Sequence, residues 1–200
     1  VCLSGKESDL DITDQTAMEQ IDPKRRFQDK DNYEWIKHAK SNHLVVGTKA
    51  RILYQDAEGR LAIALAFNKL VRDGIVGPIM LGRDHHDCGG TDSPFRETAN
   101  IKDGSNLTAD MAVHVALGNA SRGMSLVALH NGGGVGIGKA INGGYGMVLD
   151  GLKETDEILK TAMLYDVMAG VSRRAWAQNE HAIDAATSYL SRHDDTQITL

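Results

Sequence analysis

Apolar and polar positions fall in blocks along this chain, and the blocks differ in period. Between residues 31 and 40, Trp35, Ile36 and Ala39 lie on one helical face, with Asp31 or Asp29 placed to cap the start. Residues 60–72 repeat the pattern with Leu61, Ala64, Leu65, Asn68, Leu70 and Val71, and Asp73-Gly74 supplies the stop. Further helical stretches are expected over about 108–120, 155–168 and 173–190. Continuous apolar runs at 78–82, 124–129 and 145–151 read as buried strands, with shorter candidates at 50–54 and 197–200. This alternation predicts an α/β fold: a layered, largely parallel sheet flanked by helices. Residues 1–28 are polar and without period, which predicts a flexible lead-in or linker, with at most one short helical turn, before a folded part spanning 29–200.

Composition narrows this picture without redirecting it. A chain of 200 residues can bury a proper core, and 42% hydrophobic with 24% charged residues is ordinary for a globular protein. A formal net charge of −5 argues against a nucleic-acid surface. The densest basic cluster, Lys24-Arg25-Arg26 after Asp22-Pro23, is expected to be a solvated connector. Cys2 and Cys88 make neither a CxxC pair nor a disulfide framework, which fits a reducing, cytoplasmic setting. No apolar run reaches membrane length. The chain opens at Val1, so it is expected to be processed or part of something longer.

Two stretches carry candidate chemistry, and both follow a predicted strand, where ligands gather in α/β sheets. One is the glycine-rich run from Gly132 to Lys139. So many glycines are costly in backbone entropy, and their use is close approach of a ligand or another backbone. The spacing Gly133, Gly138, Lys139 approaches a P-loop, but Ala140 stands where a hydroxyl must hold Mg²⁺. A dinucleotide fingerprint fails as well, since its third glycine falls on Lys139 or Ile137. The other stretch, 83–107, is polar and long for a connection inside a domain. It gathers Arg83, Asp84, Asp87, Asp92, Arg96 and Glu97, residue types that transfer protons and fork onto a carboxylate, or simply tie a loop to itself. His85-His86 with Cys88 lacks a second cluster at ligand spacing, so no metal is expected.

These residues, in order, resemble the carboxyl-terminal region of urocanate hydratases. The similarity is carried by 77–87 (Gly-Pro-Ile-Met-Leu-Gly-Arg-Asp-His-His-Asp), 90–98 (Gly-Thr-Asp-Ser-Pro-Phe-Arg-Glu-Thr), 102–105 (Lys-Asp-Gly-Ser), 129–136 (Leu-His-Asn-Gly-Gly-Gly-Val-Gly) and 141–144 (Ile-Asn-Gly-Gly), within a collinear match from about Trp35 to Trp176. The resemblance implies a hydro-lyase of histidine breakdown that adds water to urocanate, giving imidazolonepropionate, with NAD⁺ as electrophile and not as hydride carrier. It places Gly132, Gly133 and Gly134 at the cofactor, Gly134 being the third glycine of the family motif. Asp84 and Asp87 become candidates for proton transfer, undistinguished from each other, and Arg96 and Arg83 for holding substrate charge or keeping the carboxylates ionised. Where many bacterial members have Ala-Arg-Ile-Cys with an active-site thiol, this chain has Ala50-Arg51-Ile52-Leu53. Family members are much longer, so the chain is expected to be a C-terminal fragment, inactive alone, whose missing upstream part includes the NAD-binding domain and which is a homodimer at full length. The alternative is a binding or interaction module that kept the fold without the chemistry.

Overall fold

The computed structural model describes residues 1–44, 48–83, 110–131, 141–176 and 178–198. In chain order these form α1 (Glu7–Glu19), α2 (Phe27–Ala39), α3 (Ala57–Arg72), β1 (Ile79–Gly82), α4 (Asp110–Ser121), β2 (Leu126–Asn131), β3 (Ile141–Leu149), α5 (Lys153–Trp176) and α6 (Glu180–Leu190). They divide into two compact units, one of residues 1–82 and 146–164, the other of 83–145 and 165–200.

The first unit is built on α1, α2 and α3. Ala17, Ile21, Ile36 and Ile63 make its apolar centre, with Met18, Tyr33, Leu53 and Phe67 packed around them. Helix α1 turns Asp9, Leu10, Thr13, Asp14 and Ala17 inward, a spacing of three and four that is helical although most of these residues are polar. Each polar one has a partner. Asp9 accepts from Ser4 Oγ at 2.7 Å and from the Gly77 amide at 2.9 Å. Thr13 donates to the Leu10 carbonyl at 3.0 Å, and Asp14 takes the Arg51 guanidinium at 2.8 Å. Residues 1–28 therefore hold a packed helix where a flexible lead-in was expected.

Helix α2 starts earlier than the periodicity suggested, and Asp29 lies inside it instead of capping it. Its carboxylate accepts from Arg25 Nε at 2.9 Å and Arg26 Nη2 at 2.8 Å, and both arginines also reach Asp56. The expected solvated connector is thus an ion-pair network. Trp35, expected on the buried face with Ile36 and Ala39, is half exposed while those two are buried. Asp56 caps α3 by accepting from the Gly59 amide at 2.9 Å. The strand expected at 50–54 is absent from the described strands; instead the Asn32 side chain bonds both the amide and the carbonyl of Tyr54.

Strand β1 pairs with β3 antiparallel, Ile79 opposite Leu149 and Gly82 opposite Gly146, and Cys2 adds an isolated antiparallel bridge to Ile79. The strand order is β1-β3-β2. The fold is thus mixed helix and strand with a small sheet, and this pairing replaces the parallel one expected from the alternation of elements. Helix α3 packs on β1, and its fully buried Asn68 reaches the turn after β3: it donates to the Leu152 carbonyl at 2.9 Å and Asp156 at 2.7 Å, and accepts from the Gly151 amide at 2.9 Å.

In the second unit α4 packs on β2. Helix α5 runs unbroken past Gly170, where two helices were expected, and the break falls instead at Gln178 (φ +66°). Asn179 then caps α6 by accepting from the Ala182 amide at 3.0 Å. Ala175, Ala182 and Ala186 pack with Val171, Ile183 and Ile198 where α5 and α6 meet. Residue 198, expected in a last strand, is irregular. Among the described residues no helix is long and apolar enough to cross a membrane.

Candidate functional site

Of the candidate catalytic and cofactor-binding residues, Arg83 is the one whose surroundings are described; Asp84, Asp87 and Arg96, like Gly132, Gly133 and Gly134, lie outside the described residues. The flanks of both stretches are in place: β1 ends at Gly82 just before Arg83, and the glycine stretch lies between the end of β2 and the start of β3. Delivery of both stretches from strand ends therefore agrees with the sequence reading.

Arg83 is held at two points. Its amide donates to the Tyr145 carbonyl at 3.1 Å, and its guanidinium donates from Nη1 to Asp166 Oδ1 at 3.0 Å. The pair is enclosed: the side chains are 11% and 1% exposed respectively. Asn119 of α4 donates to the same carboxylate oxygen from Nδ2 at 3.3 Å. Breaking such a pair from one side leaves a buried charge and costs about 3–5 kcal/mol. Sequence reasoning missed Asp166 and Asn119. The available signal was that Asp166 continues the helical stripe Leu159, Ala162, Met163, all buried. A carboxylate on an apolar stripe needs a cation.

Tyr165, the neighbour of Asp166, braces the same unit. Its hydroxyl donates to the His114 carbonyl at 3.0 Å, and the Arg122 guanidinium lies 3.9 Å from its ring centroid. Gly118 makes room for it, since a Cβ there would come within 2.0 Å of the tyrosine oxygen. Helix α4 is thereby fixed to α5, and β2, packed on α4, is fixed with it.

The first unit has a cavity of about 340 Å³ lined by Glu7, Leu10, Lys40, His43, Lys49 and Arg51 among others. Its cations already have carboxylates: Lys49 pairs with Glu7, Lys40 with Asp11 at 2.6 Å, and Arg51 with Asp14 at 2.8 Å. An anion entering here would have to displace them. Nearby, Leu53 packs against the apolar centre of the unit while Ile52 and Tyr54 face solvent. Leu53 is thus a half-buried hydrocarbon. Among the described residues no cluster of three or more His, Cys, Asp or Glu could hold a metal.

Comparison with known proteins gives one answer. The family described as Urocanase C-terminal domain matches residues 1–188. A probable urocanate hydratase of Caenorhabditis elegans is 49% identical over the whole chain, and the urocanate hydratases of Mus musculus and Homo sapiens are each 46% identical over the whole chain. In each case the match covers 31% of the relative, so the chain spans about a third of the length of the curated relatives it matches. With its own β1 leading into the Arg83 segment and its β2 into the glycine stretch, the chain belongs to the urocanase C-terminal domain family.

Proposed function

We propose that this chain is the C-terminal part of a urocanate hydratase, which adds water to urocanate to give imidazolonepropionate in histidine degradation. The observation that carries this reading is the family match over 1–188 together with relatives named urocanate hydratase. At 31% of those relatives' length, the chain alone is inactive under this reading. The upstream portion supplies the NAD-binding domain, and the full-length protein is a cytoplasmic homodimer.

When bound, NAD⁺ supplies an electrophile that readies the conjugated substrate for hydration. Gly132, Gly133 and Gly134, lacking Cβ atoms, let the cofactor approach the backbone. Asp84 and Asp87 hold and move protons at the substrate imidazole. Arg96 takes the substrate carboxylate with a bidentate fork. Arg83, with its guanidinium on Asp166, serves the segment from its root.

The test is loss of urocanate absorbance in the full-length enzyme. Asp84→Asn or Asp87→Asn is expected to lower kcat by about 10²–10⁴-fold with an unchanged melting temperature. Unaltered turnover in both variants overturns the assignment. Leu53, packed into the apolar centre, favours the second reading of a binding module without chemistry. Full turnover by the full-length protein eliminates it.

A further inference from the structure

We propose that Asp166, assisted by Asn119, is a positioning residue for the hydration: it fixes Arg83 and, through Arg83, the start of the segment bearing Asp84 and Asp87. The inference rests on the reading above that this segment moves protons.

The geometry is specific. Arg83 directly precedes Asp84, and adjacent Cα atoms are about 3.8 Å apart. Whatever fixes the backbone and side chain of Arg83 therefore fixes the point at which the chain leaves β1 for the segment that follows. Arg83 is fixed in both respects, by its amide on the Tyr145 carbonyl at 3.1 Å and its guanidinium on Asp166 at 3.0 Å. The carboxylate is anchored in turn on α5 and bonded by Asn119 at 3.3 Å. Two helices thus converge on one arginine at the first residue of the segment.

Stability alone is a weak reason for such an arrangement. A buried ion pair is often replaced by apolar residues without loss, whereas Arg83 and Asp166 are 11% and 1% exposed and charged. What the pair offers beyond apolar packing is direction, since a guanidinium donates along fixed vectors. Arg83, engaged by its own protein, is then distinct in role from Arg96. Its loss changes how well proton-transfer groups are placed and not how well substrate is held.

The experiment uses the full-length enzyme with Asp166→Asn, Arg83→Gln and the two combined. Each single change is expected to lower kcat by about 10–100-fold, the scale of a misplaced catalytic group. KM stays within about twofold, the sign of an interaction expressed in the transition state. The combined variant is no slower than the worse single one, since both act through one contact. Asp166→Glu, which keeps the charge, recovers part of the rate. A lowered melting temperature with wild-type kcat, or losses that multiply, overturns the proposal. Should the single variants fail to fold, Arg83→Met with Asp166→Leu replaces the pair by packing; wild-type kcat in that protein also overturns it. Asp84→Asn and Asp87→Asn are measured alongside. If they lose turnover while Asp166→Asn keeps it, the positioning role alone fails. If both keep full turnover, the reading of the segment fails and the positioning role with it.

Discussion

Two carboxylates of the first unit face arginine and are displaced in opposite directions. Burial pushes Asp29 upward, but hydrogen bonds from Arg26 and Arg25 outweigh it and hold the group well below the usual carboxylate range. Burial also pushes Asp14 upward, and there the single Arg51 does not outweigh it, with Asp11 and Glu7 adding to the rise. The linkage signs follow from proton uptake. Asp29 binds its proton less tightly when folded, so its contribution is complete above about pH 4, the unfolded value. It is lost as pH falls through the lower folded value. Asp14 binds its proton more tightly when folded, so its term weakens stability as pH rises from its unfolded value through its raised folded one. Asp29→Asn is therefore expected to cost about 1.5–3 kcal/mol at neutral pH. Urea melts at pH 7 and pH 3 check it, the cost shrinking at the lower pH; an equal cost at both would refute the assignment. The spacing of Arg25 and Arg26 from Asp29 is local, but the rest of the network was not legible in the sequence. Arg25 and Arg26 are separated from Asp56 by 31 and 30 positions, and only the folded chain brings them together.

Among elements, turns distinguish conformational strain from lack of space. Gly74 and Gly151 both have positive φ, +69° and +86°. A Cβ at Gly74 meets nothing within 4 Å, whereas one at Gly151 would lie 2.8 Å from the backbone of Arg72. Gly74→Ala is expected to cost about 1 kcal/mol, the left-handed penalty alone. Gly151→Ala adds an overpacking term and should cost about 2–4 kcal/mol. Chemical denaturation of the two variants checks the order, and equal costs would remove the role given to Arg72. At this scale much was legible. Helix α3 with its stop at Asp73-Gly74, strand β1, and the helix–strand pair α4 and β2 lie close to where periodicity placed them. The misses share a cause. Helix α1 was missed because its inward positions include Asp9, Thr13 and Asp14, which count as polar in any pattern, while Gly77 and Arg51, which satisfy the two carboxylates, lie far along the chain. A break was expected between 168 and 173, but α5 runs through this stretch; the one glycine in it, Gly170, costs only about 1 kcal/mol inside a packed helix, too little to end it.

For the whole molecule, the residues before α2 are structural members of the first unit. Amides of α1 are expected to show hydrogen-exchange protection comparable to those of α3, and deletion of residues 1–20 should expose the apolar centre formed with Ile36 and Ile63. Free exchange across α1 would contradict its packing. Of the candidate site, sequence named Arg83 but not Asp166: the stripe Leu159, Ala162, Met163 marks Asp166 as buried, but its partner lies 83 positions away and no local pattern names it. The stretch around Leu53 shows the same principle from the other side. Asn32 offers Tyr54 the donor and acceptor that a neighbouring strand would offer. A helix side chain thus serves as a ladder with a single rung. Such a ladder has no register to slip, since both of its bonds go to one residue. Ile52, Leu53 and Tyr54 have the residue types of a strand, and the run is held at Tyr54 by a side chain of α2 in place of a neighbouring strand.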